Sequence, residues 1–437
     1  MSKRRVSRLA ALGSLSLIPV IAASGTPPAF YKDVLPILQR RCQACHRPGE
    51  LGPMPLLDFD GTKPWASAIA QAVKSRQMPP WFADPAIGHF SNDRSLSGAE
   101  IRTIEAWADE GAPAGDPKNA PKPVHWIEGW TIGQPEIVFE VPKDFDVPAS
   151  GVIPYQYVII PTRFKQDTWV RLAEVRPGDR VHTHHIVVSL REPDSKWLAG
   201  APIGRPFALN PHFPMTGIPG EFLAGYGPGA IPELLAPGQA KLIKAGSDLV
   251  FQLHYTTNGQ AGGENGSEHS RIGLVLAHKP PRQRVLMLAA ANIRFEIPPG
   301  DPDYQVEARV TLHAPSTLIS LLPHMHLRGK SFEFRAIFPG GRAETLLRVP
   351  HYSYSWQLSY YLADPLPLPP GTMIECTAHF DNSAANLLNP DPTKAVRFGP
   401  QSWDEMMIGY FEVATDLKNG LRELLLPSDG NPAAHSM

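Results

Sequence analysis

Two textures of apolar patterning divide the chain. Over residues 28–112 the apolar positions recur at helical spacing. Phe30, Val34, Ile37 and Leu38 make one stripe, and Ile101, Ile104, Trp107 and Ala108 make another. Pro36 weakens the early part of the first helix, because proline removes a backbone donor. Ser97 and Glu100 have capping-box spacing ahead of the second stripe, and Gly111 is its natural stop. From residue 135 onward the apolar residues come instead in short runs of strand length. Examples are Ile137-Val138-Phe139-Glu140-Val141, Tyr157-Val158-Ile159-Ile160 and Ile186-Val187-Val188-Ser189-Leu190. A further run from Leu249 to Tyr255 leads into Asn258-Gly259, a turn dipeptide. The proline-rich, polar stretch over residues 113–134 reads as a linker and a semi-rigid spacer. The pattern predicts a multidomain chain: a small all-α domain over 28–112, then two all-β antiparallel sandwich domains, jelly-roll-like, over 135–280 and 281–430. Lys279-Pro280-Pro281 marks the boundary between them.

Composition narrows the class. The chain has 437 residues, enough for several domains, and its 48 prolines favour loops and strand edges over long helices. With 41 basic and 42 acidic residues, there is no electrostatic reason to expect nucleic acid or an anionic membrane as partner. Residues 1–25 read as a signal peptide. Lys3, Arg4, Arg5 and Arg8 are basic, Leu9 to Ala23 is apolar, and Ala22-Ala23-Ser24-Gly25 supplies small residues for cleavage. The apolar run is shorter than the ~20 residues of a membrane span, so a retained anchor is the lesser alternative. The mature protein is expected to be periplasmic or secreted, with no stable membrane span. Only three cysteines occur, and two of them sit together, so no disulfide framework can form.

Those two cysteines belong to Cys42-Gln43-Ala44-Cys45-His46, the attachment sequence for c-type haem. Two thiols at this spacing add across the haem vinyl groups, and His46 reaches the iron from one face. No further Cys or His follows closely enough for a zinc site. Met78, in Arg76-Gln77-Met78-Pro79-Pro80-Trp81, is the expected second axial ligand, with Met54 its rival. The span from Phe30 through Gly111 resembles a small class I cytochrome c, including its closing Trp-bearing helix.

The β region carries a second set of candidate ligands. His182-Thr183-His184-His185 opens one predicted strand, and Gln252-Leu253-His254-Tyr255 closes another. Pro323-His324-Met325-His326 lies in a third, and Asp404-Glu405-Met406-Met407-Ile408-Gly409-Tyr410 begins a late one. Residues two apart on a strand share a face, so His324 and His326 can chelate one ion. His254 shares its face with Gln252 rather than with Leu249, Phe251 and Leu253. His184 and His185 point to opposite faces of a regular strand and meet at one metal only if the strand bulges. Spacing alone pairs His182 with His184.

These four motifs, in this order, resemble the copper type II, ascorbate-dependent monooxygenases, the family of peptidylglycine α-hydroxylating monooxygenase and dopamine β-hydroxylase. The resemblance covers about residues 135–415. It implies two copper ions. His184, His185 and His254 would hold the one that stores an electron. His324, His326 and Met406 would hold the one where oxygen binds, with Tyr410 beside it. Gln252, Tyr255, Gly329-Lys330 and Asp404-Glu405 match as neighbours. The resemblance selects His184 with His185 over the spacing-based pair and leaves His182 a supporting role. His125, His212, His269, His278, His313, His351 and His379 are read as structural. Leu322 and Ile408 stand where the peptide-specific enzymes carry an Arg and an Asn, so a glycine-extended peptide is not the implied substrate. Imidazole suits copper in both oxidation states, and a thioether favours Cu(I).

The resulting expectation is a copper-dependent monooxygenase that hydroxylates a C–H bond of a small, mostly apolar molecule with oxygen. An external donor (a cytochrome, a quinol enzyme or an ascorbate-like reductant) reduces the haem, which passes electrons singly to the copper at His184, His185 and His254. The alternatives are a haem and copper electron carrier without substrate oxidation, and a copper-binding module.

Overall fold

The computed structural model describes residues 26–126, 129–142, 146–148, 151, 153–209, 220–232, 234–255, 266–267 and 269–427. The expected signal peptide, the Asn258-Gly259 turn, His212 and residues 428–430 of the last predicted domain lie outside them. The chain is mostly β, in several antiparallel sheets, with its helices concentrated at the N-terminal end. No helix among the described residues is long and apolar enough to cross a membrane.

In the helical unit Pro36 falls within the first turn of Leu35–Arg41, where a missing N–H costs nothing, and a π-turn over Phe30–Val34 precedes it. The predicted capping box is formed: the Ser97 hydroxyl accepts from the Glu100 N–H, and the Glu100 carboxylate accepts from the Ser97 N–H, opening Gly98–Asp109. Phe30, Leu38, Ile104 and Trp107 are fully buried against one another. The stretch predicted to be a spacer instead folds back on this unit. The Pro113 carbonyl accepts from the Phe30 N–H and from Trp107 Nε1, and the Ala114 carbonyl accepts from the Tyr31 N–H. The backbone carbonyls of Pro113 and Ala114 are the groups that dock it.

Alternating burial generates the β part. In Gly329–Ile337, Phe332, Phe334 and Ala336 turn inward while Glu333 and Arg335 turn out. The largest sheet has eight strands, in the order Ile137–Glu140, Arg271–Leu276, Thr168–Arg176, Gln239–Ile243, Gln283–Asn292, Met407–Thr415, Ser316–His324 and Tyr360–Leu368. Its first half shares a core with the five-stranded sheet that contains Asp248–Tyr255 and Thr183–Arg191. Its second half shares a core with the four-stranded sheet that contains Gly329–Ile337 and Met373–Phe380. The halves meet where Gln239–Ile243 runs parallel to Gln283–Asn292, with Gln283 opposite Gln239 and Arg284 opposite Ala240. One sheet therefore continues through both β regions, across the boundary expected near residue 280.

Buried charges lock this junction. Lys241 donates to Glu412 at 2.7 Å and to the Leu223 carbonyl, and the Ser320 hydroxyl donates to the same carboxylate. Removing one member of such a pair strands the other in a dry interior. Lys241→Met is therefore expected to cost about 3–5 kcal/mol in urea denaturation, and Lys241→Met with Glu412→Leu to recover much of that.

The helical unit is seated on this β body. Trp81 and Phe90 pack edge-on against Tyr360, with ring centroids 4.9 and 5.5 Å away, and Phe90 makes a β-bridge to Leu362. Asn92 donates to the Ser359 carbonyl and accepts from the Tyr361 N–H. Glu50 meets Arg180 at 3.1 Å and Arg176 at 3.5 Å.

Candidate functional site

A cavity of about 660 Å³ opens between the helical unit and the β body. Cys42, Cys45, His46 and Met78 line it from the helical side. Both thiols are free, and burial foremost pushes the Cys42 thiol up to about 12, so it is neutral. The His46 Nδ1 lies 3.2 Å from the Met54 carbonyl. A carbonyl only accepts, so Nδ1 carries the proton and Nε2 is left as the ligand atom. Any side chain on Gly52 would strike the His46 ring, 2.6 Å from Nδ1, so this glycine permits the ring's position. Met54, the rival axial ligand, serves through its backbone and is not in the cavity wall. Trp126 Nε1 and Tyr226 Oη are buried in this wall without a partner among the described residues, and Arg47, Arg94, Arg176 and Arg180 surround the same space. Thiols, an imidazole, a thioether, two unused donors and cationic side chains fit a covalently held haem with its two propionates. His125, read as structural, also lines the cavity.

The second group of residues converges on the five-stranded sheet. Thr183 pairs with Tyr255 and His185 with His254, so the register shifts by one at His184. This bulge turns His184 and His185 towards each other. Their Nδ1 atoms lie 3.1 Å apart, and the His254 Nδ1 is 3.4 Å from that of His185. The three rings can offer ligand atoms that all lie within 4.8 Å of one another. Three imidazole nitrogens this close are a donor set that could hold a metal ion between them. His182 is not part of this cluster. Its Nδ1 is 2.6 Å from the Asp179 carboxylate, in the loop before the strand.

His324 and His326 have ring centroids 5.3 Å apart, although the strand ends at His324 and the shared-face argument does not strictly apply. His324 Nδ1 donates to Gln357 Oε1 at 2.6 Å, and His326 Nδ1 faces the Asp404 carbonyl at 3.3 Å, which leaves Nε2 of each ring as the ligand atom. The Glu405 carboxylate accepts from the backbone N–H of His326 and of Arg328, fixing the turn after the pair. Burial pushes that carboxyl up to about 8 against the pull of these amides. Met406 precedes its strand, Met407–Thr415. It lines a cavity of about 440 Å³ together with His184, His185, His324, Leu322, Ile408 and Tyr410, whereas Met407 is fully buried in the core. The Tyr410 ring is 6.1 Å from that of His324, and burial pushes its phenol up to about 12.

The two histidine groups are neighbours. The Tyr354 ring stacks on His184 at 4.6 Å and 15° and lies 6.3 Å from the His326 ring. Tyr354, Trp356 and Gln357 were not singled out from the sequence. The aromatic density of Tyr352-Ser353-Tyr354-Ser355-Trp356 in a loop was the available signal.

All five rings are held neutral, chiefly by burial. His184 is lowered to about 4, His254 and His326 to about 3, and His185 and His324 also fall. In the unfolded chain they titrate near 6.5. The folded state therefore binds fewer protons below that pH, and the stability these rings contribute is complete above it and lost as pH falls. The metal-free protein is expected to melt at steadily lower temperature from about pH 6.5 to 4, as calorimetry would show. Copper affinity at His184, His185 and His254 should stay nearly flat from about pH 5 to 7.5, since no ring proton there has to leave.

No protein-family model matches the chain, and no curated protein matches it. Among solved structures, the STIV MCP aligns at 9% identity over 64% of this chain and 95% of that chain, with a TM-score of 0.27. The VP2 subviral particle of infectious bursal disease virus aligns at 10% identity over 67% and 74%, with a TM-score of 0.19. The Gx strain of that virus gives 9% over 66% and 74%, with a TM-score of 0.18. Similarity this low assigns neither fold nor function.

Proposed function

We propose that the protein is an exported copper-dependent monooxygenase that hydroxylates a C–H bond of a small, mostly apolar substrate, with its own haem unit as electron donor. On this reading the helical unit is a class I c-type cytochrome and the β body is a pair of jelly-roll-like sandwiches sharing one sheet. The observation that carries the reading is the cavity bordered at once by His184, His185, His324 and Met406 and walled by Leu322, Ile408, Phe398 and Met287. It joins two sets of ligand side chains to an apolar space of substrate size.

Copper bound by these side chains supplies oxygen activation and two electrons per turnover, and a haem at Cys42 and Cys45 supplies them one at a time from an external reductant. The chain's own residues do the rest. Leu322 and Ile408 exclude water and select apolar substrates. The Met406 thioether is a soft, weakly held donor. Gln357 and the Asp404 carbonyl fix the tautomers of His324 and His326. Overall, one substrate C–H, one O2, two electrons and two protons give an alcohol and one water.

The test is metal analysis of the purified protein followed by turnover with isotopically labelled oxygen. One haem that resists acid–acetone extraction, two coppers and one labelled atom in the product are expected. Both metals without labelled product would instead make the chain an electron carrier.

A further inference from the structure

We propose that the segment Tyr354-Ser355-Trp356-Gln357 is the tunnelling path from the cysteine-lined cavity to the histidines, with Trp356 at its entrance and Gln357 coupling it to His324, neither side chain being itself oxidised or reduced, so that electrons enter at the His324 site and not, as expected from the sequence, at that of His184, His185 and His254. The proposal rests on the reading of the chain as a haem-fed copper monooxygenase.

This one segment contacts both histidine groups and borders the cysteine-lined cavity. Trp356 lines the cavity of Cys42, Cys45 and His46. Its indole lies directly on Gly229, where a Cβ would come within 2.7 Å of the ring, at a φ of +79°. The Gly229 carbonyl accepts from Arg94, another residue of the cavity wall, so the indole is pinned at the boundary. The next residue, Gln357, lines the other cavity and accepts from His324 Nδ1 at 2.6 Å. Two residues before Trp356, Tyr354 stacks on His184. The segment is tied internally by Gln357 Nε2 to the Tyr354 carbonyl, and its tyrosine hydroxyl meets Ser402 Oγ at 2.7 Å.

From Trp356 to His324 the path is covalent bonds and one short, charge-free hydrogen bond. The competing path is the wall that both cavities share, which includes Gly225, Tyr226 and Ile231. Tyr226 pairs with Ile186, the neighbour of His185, but its hydroxyl has no partner among the described residues, so a route through it has to leave the ring and run along the backbone of two strands. Gaps between non-bonded atoms carry electrons less well than bonds do. In the transfer itself iron(II) becomes iron(III) and copper(II) becomes copper(I), and no proton or bond changes hands.

Flash photoreduction of the fully oxidised, haem- and copper-loaded chain by a flavin semiquinone, without oxygen, tests this. The ferrous haem band should then decay in a first-order, concentration-independent phase that is missing from the copper-depleted protein. Trp356→Leu and Gln357→Leu should each slow that phase about tenfold, with haem content and haem potential unchanged, while Ile231→Ala, in the wall both cavities share, keeps the wild-type rate. Trp356→Phe, which keeps an aromatic ring, should restore most of it. Wild-type rates in both Trp356→Leu and Gln357→Leu would overturn the conduit, and slowing by Ile231→Ala alone would move it to the shared wall. A loaded wild-type haem that does not decay would overturn the haem-fed reading itself.

Discussion

Met406→Ala is expected to abolish turnover and leave the fold and haem spectrum intact, whereas Met407→Ala is expected to unfold the protein more easily and spare the site's chemistry. The two side chains are adjacent and of one type, yet Met406, just ahead of the strand, lines the cavity while Met407, its first residue, enters the core. Met407 is fully buried among the core residues and pairs with Asn292, so truncation leaves a cavity costing about 2–5 kcal/mol. Met406 is only partly buried and faces His324 across the open cavity. Its loss removes a thioether donor and little packing. Copper analysis should show the ion at His184, His185 and His254 retained in Met406→Ala and the other weakened. Urea midpoints should show the reverse ranking, with Met407→Ala the less stable. Loss of turnover in Met407→Ala at full folding, with Met406→Ala active, would reverse the register.

What the sequence made legible followed from local pattern. The Ser97 and Glu100 box and the helical stripe of Ile101, Ile104 and Trp107 are settled by residues within a few positions of one another. So was the conditional statement about His184 and His185, since only a bulge lets neighbours on a strand share one ion. Non-local features were not legible. Nothing in the run from Gln239 marks it to pair in parallel with Gln283, because alternation specifies a buried face and not a partner strand. The docking of Trp81 and Phe90 on Tyr360, some 270 positions away, and the folding back of Pro113 have the same cause. A proline-rich stretch shows what it cannot do in a helix, and not which donors its carbonyls will find. The Trp356 and Gln357 contacts depend on three units meeting, and no local spacing encodes that.

His185→Ala should remove one copper per chain, and His182→Ala should remove none. Strand periodicity on its own pairs His182 with His184, and a regular strand would make that pair the chelate. The register shift overrides it. Of the three clustered rings His185 is the common vertex, its Nδ1 within 3.4 Å of both others, so its removal leaves His184 and His254 without the nitrogen that joins them. It is also half-buried, so alanine there opens a space that two remaining imidazoles cannot close. His182 spends its Nδ1 on Asp179, whose carboxylate also accepts from the backbone N–H of Val181 and His182. Its role is to shape the loop that enters the bulge. His182→Ala should therefore keep copper stoichiometry and lower affinity by about a hundredfold at most, as loss of a group behind the ligands does. Copper counts and competition titrations on the two variants decide the matter. Loss of a full equivalent in His182→Ala with retention in His185→Ala would restore the regular-strand pairing and exclude the bulged cluster as the metal site.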